Sequence, residues 1–258
     1  SKILKNFHQK VNFPIVPSEI LGTYFAEYYD EEKDMFTMPI SQYILNEELK
    51  PQIQDDLQEL SINGVYNAAN ADGSFGESLD GIKTVLTKIV ADADHPAFQI
   101  PLTALTDTNI VDQVTAYERA IPEKMKSKVK KIFMSHSNKE RYILDFQEKY
   151  GDNKYAADSM KTYLGGRDIV GLPNLSTDVI FSTVDRNMIK LIDKIDNPPK
   201  VTSVQVLDYT VKLFMEFWLG YDFWINELVF VSNYTDTTYG IGSTANNQLY
   251  FGIDGVTP

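Results

Sequence analysis

The chain contains no cysteine, so a disulfide framework, a thiolate metal site and a cysteine nucleophile are excluded. This absence permits a reducing compartment but does not require one. No apolar run is long enough to span a membrane, and we therefore expect no membrane partner. The sequence begins at Ser1, and the following residues lack the apolar core of a signal peptide. We therefore expect that the chain begins inside a longer one, from which an upstream part has been removed.

Basic residues are scarce relative to acidic ones. There are 24 lysines and arginines against 36 aspartates and glutamates, which gives a formal net charge of -12. This balance argues against a protein that grips nucleic acid through many phosphate contacts. The one basic cluster most simply forms a solvated helix end that leads into a strand, with phosphate binding as the alternative. Its members are Lys124, Lys126, Lys128, Lys130 and Lys131.

Recognisable catalytic motifs are also lacking. The sequence has no Gly-x-Ser-x-Gly elbow, no phosphate loop and no His-Glu-x-x-His pair. His8, His95 and His136 are scattered, and none stands at a metal-ligand spacing. The polar loop at residues 67–76 fails as a calcium loop, because Ala68 and Leu79 would occupy ligand positions. We predict no catalytic, cofactor-binding or metal-binding residues, no cofactor, and a protein that is not an enzyme.

Two weaker signals leave room for other interpretations. Three acid pairs suit a glycoside hydrolase in spacing, although pairs of this kind arise by chance among 36 acids. Residues 240–245 formally match a dinucleotide fingerprint, which we reject because residues 237–239 make a poor strand and Asn246-Asn247 does not open an amphipathic helix. The acid pairs are Asp55/Asp56, Asp92/Asp94 and Glu216/Asp222.

The most informative segment that is present spans residues 201–231. Apolar residues alternate with mixed ones from Tyr209 to Phe217, and this period of two predicts a strand with one apolar face. We expect this strand to pack on a helix through Ile53 and Leu57. Residues 219–222 interrupt the alternation at a glycine, which indicates either a strand pair or one long strand with a bend.

Both tryptophans of the chain, Trp218 and Trp224, lie in this segment. A buried tryptophan removes a large apolar area from water, so two core anchors are the favoured interpretation. A pair that stacks on sugar rings, as in a carbohydrate-binding module, is one alternative. A contact between subunits is the other.

The remaining pattern mixes helices with short apolar stretches. Residues 1–39 are irregular and resemble an arm. A helical stripe follows, in which Pro51 requires a kink or two pieces. Further helices are predicted at residues 80–92, after a cap at Thr106 or Asp107, and from a capping box at residues 137–140 to Gly151. Strands are predicted at residues 129–134 and 188–192, with apolar stretches at 98–102, 169–173 and 179–181. The stripe consists of Leu45, Leu49, Ile53, Leu57 and Leu60.

These elements interleave without a regular strand–helix repeat, which favours an α+β fold. Their order resembles the major capsid protein of tailed bacteriophages, the Hong Kong ninety-seven fold that encapsulin shells also use. Asn63-Gly64 and Asp80-Gly81-Ile82 are similar to the family's glycine loop and the helix entry after it. Residues 130–151 are similar to its strand, cap and helix, and residues 169–173 to its hydrophobic-Gly-x-Pro segment. The resemblance covers residues 41–231.

The resemblance implies two domains. The peripheral domain, a helix plus long strands, would comprise residues 41–94 and 200–233. The axial domain, a mixed sheet flanked by helices, would comprise residues 95–199. Residues 1–40 would be an arm-like segment and 234–258 a tail. The sequence departs from the family in its short, Pro51-containing spine helix and in lacking an extended hairpin before it.

The resemblance also implies a function. The chain would be a structural subunit of an icosahedral phage or prophage shell that assembles into hexamers and pentamers and encloses double-stranded DNA without sequence-specific contact. Scaffolding, portal and decoration proteins would be further partners, and the shell would assemble in the bacterial cytoplasm and persist in the virion. An encapsulin-like cage is the alternative within the same fold. No crosslinking lysine, asparagine or glutamate of the family can be carried over.

Overall fold

A computed structural model describes residues 2–16, 49–69, 74–151, 161–192, 201–207 and 210–255. The predicted positions of Leu45 and Tyr209, and residues 17–40 of the arm-like segment, lie outside the described residues. Within them the strands are β1 (Phe7–Ile15), β2 (Phe98–Pro101), β3 (Val129–Ser135), β4 (Asp168–Leu172), β5 (Phe181–Val184), β6 (Met188–Ile192), β7 (Val201–Leu207), β8 (Thr210–Phe223) and β9 (Val229–Asn233). The helices are α1 (Lys50–Asn63), α2 (Ile82–Val90), α3 (Ile110–Ala120), α4 (Glu123–Lys126), α5 (His136–Tyr150) and α6 (Thr244–Phe251), and a 3-10 turn spans Asn226–Leu228.

Four strands form the peripheral sheet, in which β8 is central. It pairs antiparallel with β1 on one side and with β6 and β7 on the other. Met215, Phe217 and Leu219 are buried, whereas Glu216 and Trp218 between them are exposed. Phe217 packs in one cluster with Leu60 and Leu57 of α1. The predicted strand and its contact with the helix through Leu57 are therefore confirmed, and Ile53 lines the same groove as Phe217.

Of the two alternatives for residues 219–222, one long strand is confirmed and a strand pair is wrong. Strand β8 runs through Gly220 to Phe223, and a Cβ at Gly220 would lie only 2.6 Å from the Lys5 carbonyl oxygen. The glycine therefore admits the N-terminal segment, which crosses the strand at this point. The expected irregular arm is also wrong at residues 7–15, because β1 pairs with β8 along its whole length.

Five strands form the axial sheet in the order β2-β9-β5-β3-β4. The pairs β2–β9 and β3–β4 are parallel, while β3–β5 and β5–β9 are antiparallel. One face packs against α3, α5 and α6, and the other packs against α2. Alternation sorts the side chains between the two cores: Phe230 joins the first, and Val229 and Val231 join the second. A mixed sheet flanked by helices, within an α+β fold, is confirmed.

Sheet membership does not follow the expected domain limits. Strand β6 lies among the residues expected for the axial domain, yet it pairs with β8 of the peripheral sheet. Strand β9 lies among those expected for the peripheral domain, yet it pairs with β2 and β5 of the axial sheet. The chain therefore changes sheet at residues 184–188 and 223–229. The apolar run that begins in β8 continues as β9 after the second of these changes. Strands β8 and β9 therefore lie in different sheets and do not pair with each other.

Helix ends differ from the prediction in two places. Pro51 stands in the first turn of α1, where a missing N–H costs nothing, and the part of the predicted stripe before Leu49 lies outside the described residues. The N-cap of α5 is Ser135, whose hydroxyl accepts a hydrogen bond from the Asn138 N–H, rather than the predicted Ser137. The N-cap of α3 is Asn109 rather than Thr106 or Asp107. The predicted end of α5 at Gly151, with φ of 82°, is confirmed.

Gly64 and Gly81 show why the resemblance includes glycines at these points. The Gly81 N–H donates to the Gly64 carbonyl oxygen at 2.8 Å, so the two backbones touch where the chain enters α2. A Cβ at Gly81 would lie 2.6 Å from the Ile62 carbonyl oxygen, and one at Gly64 would lie 2.5 Å from the Leu79 carbonyl oxygen. Because these neighbours are backbone atoms, only glycine fits without displacing α1 or α2.

The expected tail is a packed part of the axial core. Helix α6 begins after Ser243 and buries Phe251, which lies in one cluster with Tyr239 and Phe98. The Asn247 side chain accepts a hydrogen bond from the Ile241 N–H at 2.9 Å and fixes the turn before the helix. A helix does form at Asn246-Asn247, but it has no apolar stripe, which agrees with our expectation that these residues open no amphipathic helix.

Candidate assembly surfaces and the joint between the sheets

The acid pairs do not form a hydrolase site. Glu216 and Asp222 are six residues apart on one strand, hence about 20 Å apart, beyond the 5 to 10 Å that glycoside hydrolysis needs. The Asp92 carboxylate accepts hydrogen bonds from the backbone N–H groups of His95 and Asp94, and these bonds lower its pKa. Asp92 therefore stays ionised as a turn cap and is not suited to donate a proton. Asp55 is an exposed residue of α1.

The histidines have separate surroundings. His95 Nδ1 lies 2.9 Å from Glu227 Oε1, whereas His8 lies on the peripheral sheet with its ring centroid 5.0 Å from that of Trp218. His136 is exposed at the start of α5. In the part of the chain that the structure describes, no group of three histidine, aspartate or glutamate side chains could hold a metal ion. None of the described helices is long and apolar enough to cross a membrane.

Both tryptophans are exposed, which overturns the favoured interpretation as core anchors. Trp218 is 43% exposed and Trp224 is 59% exposed. Six residues of extended chain place them about 20 Å apart, too far to hold one sugar ring between them. Trp218 lies on the face of β8 that α1 does not cover, together with Glu216 and Lys212, which are also exposed. The interpretation consistent with this exposure is a contact with another protein surface.

The uncovered face of the peripheral sheet continues onto β1. His8, Lys10 and Asn12 alternate there with the more buried Phe7, Gln9 and Val11. Glu216 lies 3.8 Å from both His8 and Lys10 across the strand pair. None of the described elements covers this face, so a polar sheet surface with one large aromatic side chain faces outward. A flat surface of this kind suits a neighbouring subunit better than a small ligand.

The groove on the other face of the same sheet lies between β1, α1 and residues 66–68 and 74–78. It encloses about 770 Å³, and Val11, Leu57 and Phe217 form part of its apolar lining. Phe75 at its edge is 58% exposed. The groove is an open surface between packed elements.

Two buried asparagines hold the joint where the chain passes between the sheets. The Asn187 side chain donates to the Ile225 carbonyl oxygen and accepts from the Ile225 N–H, both at 2.9 Å. The Asn226 side chain donates to the His95 carbonyl oxygen at 2.9 Å. These contacts tie three passages of the chain together: residues 90–98, 184–188 and 223–229.

Lys2 adds the N-terminal segment to this joint. Its ammonium group donates to the Phe223 carbonyl oxygen and to Asn226 Oδ1, both at 2.7 Å, and forms an ion pair with Asp222. Sequence reasoning missed Lys2, Asn187 and Asn226. The available signal was Asn226 itself, a polar residue inside the apolar run of residues 223–231, which implies a buried hydrogen-bond partner.

Buried polar groups also stabilise the axial core. The guanidinium of Arg167 pairs with Glu118 at 2.9 Å, and the exposed fractions of the two side chains are 8% and 1%. Arg167 also donates to the carbonyl oxygens of Val129 and Lys126, at 3.0 and 2.9 Å. The Tyr117 hydroxyl donates to the Phe230 carbonyl oxygen at 2.8 Å, and burial raises its pKa above the usual value. The partners of these buried polar groups all lie within the fold, so a structural role explains their burial.

Comparison with solved structures identifies the architecture. The capsid of Myoviridae phage XM1 matches with a TM-score of 0.55 and 12% identity, over 89% of this chain and 73% of that one. The satellite phage P4 procapsid, in a structure that includes the size determination (Sid) protein, matches with a TM-score of 0.55 and 12% identity over 91% and 77%. This chain has the capsid fold of tailed phages. The capsid of an empty GTA particle also matches, with a TM-score of 0.54 and 11% identity over 90% and 74%.

The structural comparison and the order of elements in the sequence point to the same fold. The matches cover about nine-tenths of this chain, which exceeds the share formed by residues 41–231 on which the resemblance was based. A scan against protein-family models finds no match, and no curated protein matches the sequence. The relation is therefore visible in the three-dimensional structure and in the order of elements.

Proposed function

We propose that the protein is a structural subunit of an icosahedral capsid shell that assembles from copies of itself and encloses double-stranded DNA. The observation that carries the proposal is the capsid fold, shared over about 90% of the chain with proteins that form phage capsids. The uncovered face of the peripheral sheet and the two exposed tryptophans support it, because a shell subunit needs broad contact surfaces. The scattered histidines and separated acids are consistent with a protein that is not an enzyme.

The proposal extends to organisation and partners. The peripheral and axial sheets would be the centres of two domains, with β6 in the first and β9 in the second, so that the limits fall at the passages of residues 90–98, 184–188 and 223–229. Hexamers and pentamers of this chain would form the shell, and scaffolding, portal and decoration proteins would join it. Assembly would take place in the bacterial cytoplasm, and the finished protein would be part of the virion.

Electron microscopy and light scattering of the full-length protein, expressed alone, test this function. We expect closed particles, and we expect association to strengthen as salt is raised from about 0.05 to 0.5 M. The net charge of -12 makes identical subunits repel, and added salt shortens the range of that repulsion to about 10 Å or less. A protein that stays monomeric at every concentration and salt would contradict the proposal. Particles that carry an enzyme instead of DNA would indicate the encapsulin-like alternative.

The exposed tryptophans provide a sharper test of the surfaces used. Replacing Trp218 or Trp224 with alanine is expected to raise the concentration needed for assembly by roughly tenfold or more, because aromatic side chains at the centre of interfaces often contribute over 1 kcal/mol each. Leu249→Ala on α6 is the matched control, since Leu249 is 71% exposed. Each variant should unfold at the wild-type denaturant concentration. Equal assembly of all three variants and the wild type would remove both tryptophans from the subunit contact.

A further inference from the structure

One end of the axial sheet carries a basic patch on an otherwise acidic protein. Lys128, Lys130 and Lys131 lie at the start of β3, and Arg186 lies in the turn between β5 and β6; all four are exposed. Val129 pairs with Val184, so the start of β3 lies beside this turn although some 55 residues separate them in sequence. We refer to these four residues as the basic patch. The sequence shows the lysines, but only the fold adds Arg186.

A β-bulge explains why two successive lysines both face solvent. Val129 pairs with Val184 and Ile132 with Ser182, so three steps along β3 match two steps along β5. The extra residue breaks the alternation, and Lys130 and Lys131 are both exposed while Val129 and Ile132 are both buried. In a regular strand one of the two lysines would point into a core. Bulges of this kind reorient side chains next to functional sites.

Arg186 adds a second irregularity at the same place. Its φ is 64°, in the left-handed region that costs a residue other than glycine roughly 1 kcal/mol or more. The turn is held by the hydrogen bond from the Asn187 N–H to the Val184 carbonyl oxygen and by the buried Asn187 side chain. The fold therefore maintains a strained arginine beside a bulge that exposes two lysines.

The charges of the basic patch are only partly neutralised. Lys130 pairs with Asp185 at 2.7 Å, and that contact lowers the pKa of Asp185, with smaller contributions from Lys131 and Arg186. Asp168 is the neighbour of Lys131 across the parallel strand pair. Among the described residues, Lys128, Lys131 and Arg186 have no ion-pair partner. Three cationic groups are thus available to bind an anionic partner.

We propose that the basic patch contacts phosphate groups of double-stranded DNA inside the shell, an inference that rests on the proposed capsid function. Phosphate contacts require cations and no apolar surface, and all four members of the patch are lysine or arginine. A protein partner would instead be expected to bury an apolar or aromatic centre. Arginine in particular can bind a phosphate with two parallel hydrogen bonds. With three free cations on an acidic subunit, each contact is weak but measurable at low salt, and the many copies in one shell add to its strength.

The test is the salt dependence of binding to a fluorescein-labelled 30-base-pair duplex, measured by fluorescence anisotropy. For three phosphates contacted, we expect log K to fall against log salt with a slope of about -2.7. The double variant Lys131→Gln/Arg186→Gln should reduce the size of this slope by about two and weaken binding several-fold or more at roughly 0.1 M salt. Lys50→Gln/Lys83→Gln, which changes the charge equally on α1 and α2, should bind as the wild type does. Arg186→Lys should keep most of the slope.

Several outcomes would overturn the assignment. It is wrong if the wild type shows no binding at about 0.05 M salt, or if the patch and control variants have the same slope. Displacement of DNA by polyglutamate at equal charge concentration would indicate an acidic protein segment as the partner instead. Electron microscopy of the same variants distinguishes failure of this inference from failure of the proposed function. Patch variants that form shells and bind DNA as the wild type does would refute the role of the basic patch alone. A wild type that never forms shells would refute the capsid function.

Discussion

Replacing Arg167 with methionine is expected to lower the free energy of unfolding by about 3–5 kcal/mol, measured by denaturant unfolding. The substitution leaves the Glu118 carboxylate, whose side chain is 1% exposed, without its counter-charge in the axial core. A buried charge that loses its partner incurs the full cost of desolvation. The carbonyl oxygens of Val129 and Lys126 also lose their donors, which adds to the effect.

The matched control for this change is Arg119→Met. Arg119 lies next to Glu118 on α3 but is exposed, so its loss is expected to change the free energy of unfolding by less than about 0.5 kcal/mol. The double variant Glu118→Gln/Arg167→Met should recover part of the loss, because it removes the unpaired charge. If Arg167→Met were as stable as Arg119→Met, the pair would contribute nothing to the core.

Phe98→Ala is the second change with a large expected effect, again about 3–5 kcal/mol. Phe98 is fully buried, and its ring centroid lies 5.1 Å from that of Phe230, 5.2 Å from Tyr239 and 4.9 Å from Phe251. The substitution leaves a cavity at the point where the C-terminal residues join the axial sheet. We therefore expect faster hydrogen exchange in α6 as well as a lower midpoint of denaturation.

Phe75→Ala is the control for Phe98→Ala, since Phe75 is 58% exposed and carries the same ring. It should leave the stability of the axial core and the exchange of α6 unchanged. Uniform loss of protection throughout the chain would still agree with a core role for Phe98. Unchanged exchange in α6 together with wild-type stability would show that this helix does not depend on the aromatic cluster.

The spacing of apolar residues correctly predicted the helices and strands that contribute their own apolar face to a core. Helix α2 buries Ile82, Val85, Leu86 and Ile89 as its spacing requires, and β8 buries every second residue from Met215 to Leu219. The alternation placed Trp218 on the mixed face of β8, but its aromatic size favoured burial. Which face of a sheet is covered depends on the rest of the fold, and α1 covers only one.

Helix ends and the C-terminal helix were harder to predict. Ser135 and Ser137 both fit an N-cap, and the choice depends on where β3 ends against its neighbours. Helix α6 has no apolar stripe, and it forms because Ser243 caps it, Asn247 ties it to Ile241 and Phe251 reaches the core. Such tertiary contacts override local propensity.

The surfaces proposed for function were partly visible in the sequence. The lysines of residues 124–131 stood out, and the helix end followed by a strand was predicted correctly, as α4 and β3 show. The bulge that exposes both Lys130 and Lys131 depends on the register with β5, which no local pattern encodes. Arg186 joins them only through the pairing of distant strands.

The three passages of chain at the joint have a mechanical consequence. Two bodies connected by one linker can swing about a single hinge, whereas here any rotation of one sheet against the other must bend residues 90–98, 184–188 and 223–229 together. The hydrogen bonds of Asn187 and Asn226 connect those passages to one another. A force on the peripheral sheet is therefore distributed over the three connecting segments. We therefore expect that cutting the chain in any one of these passages leaves the two sheets held together by the other two.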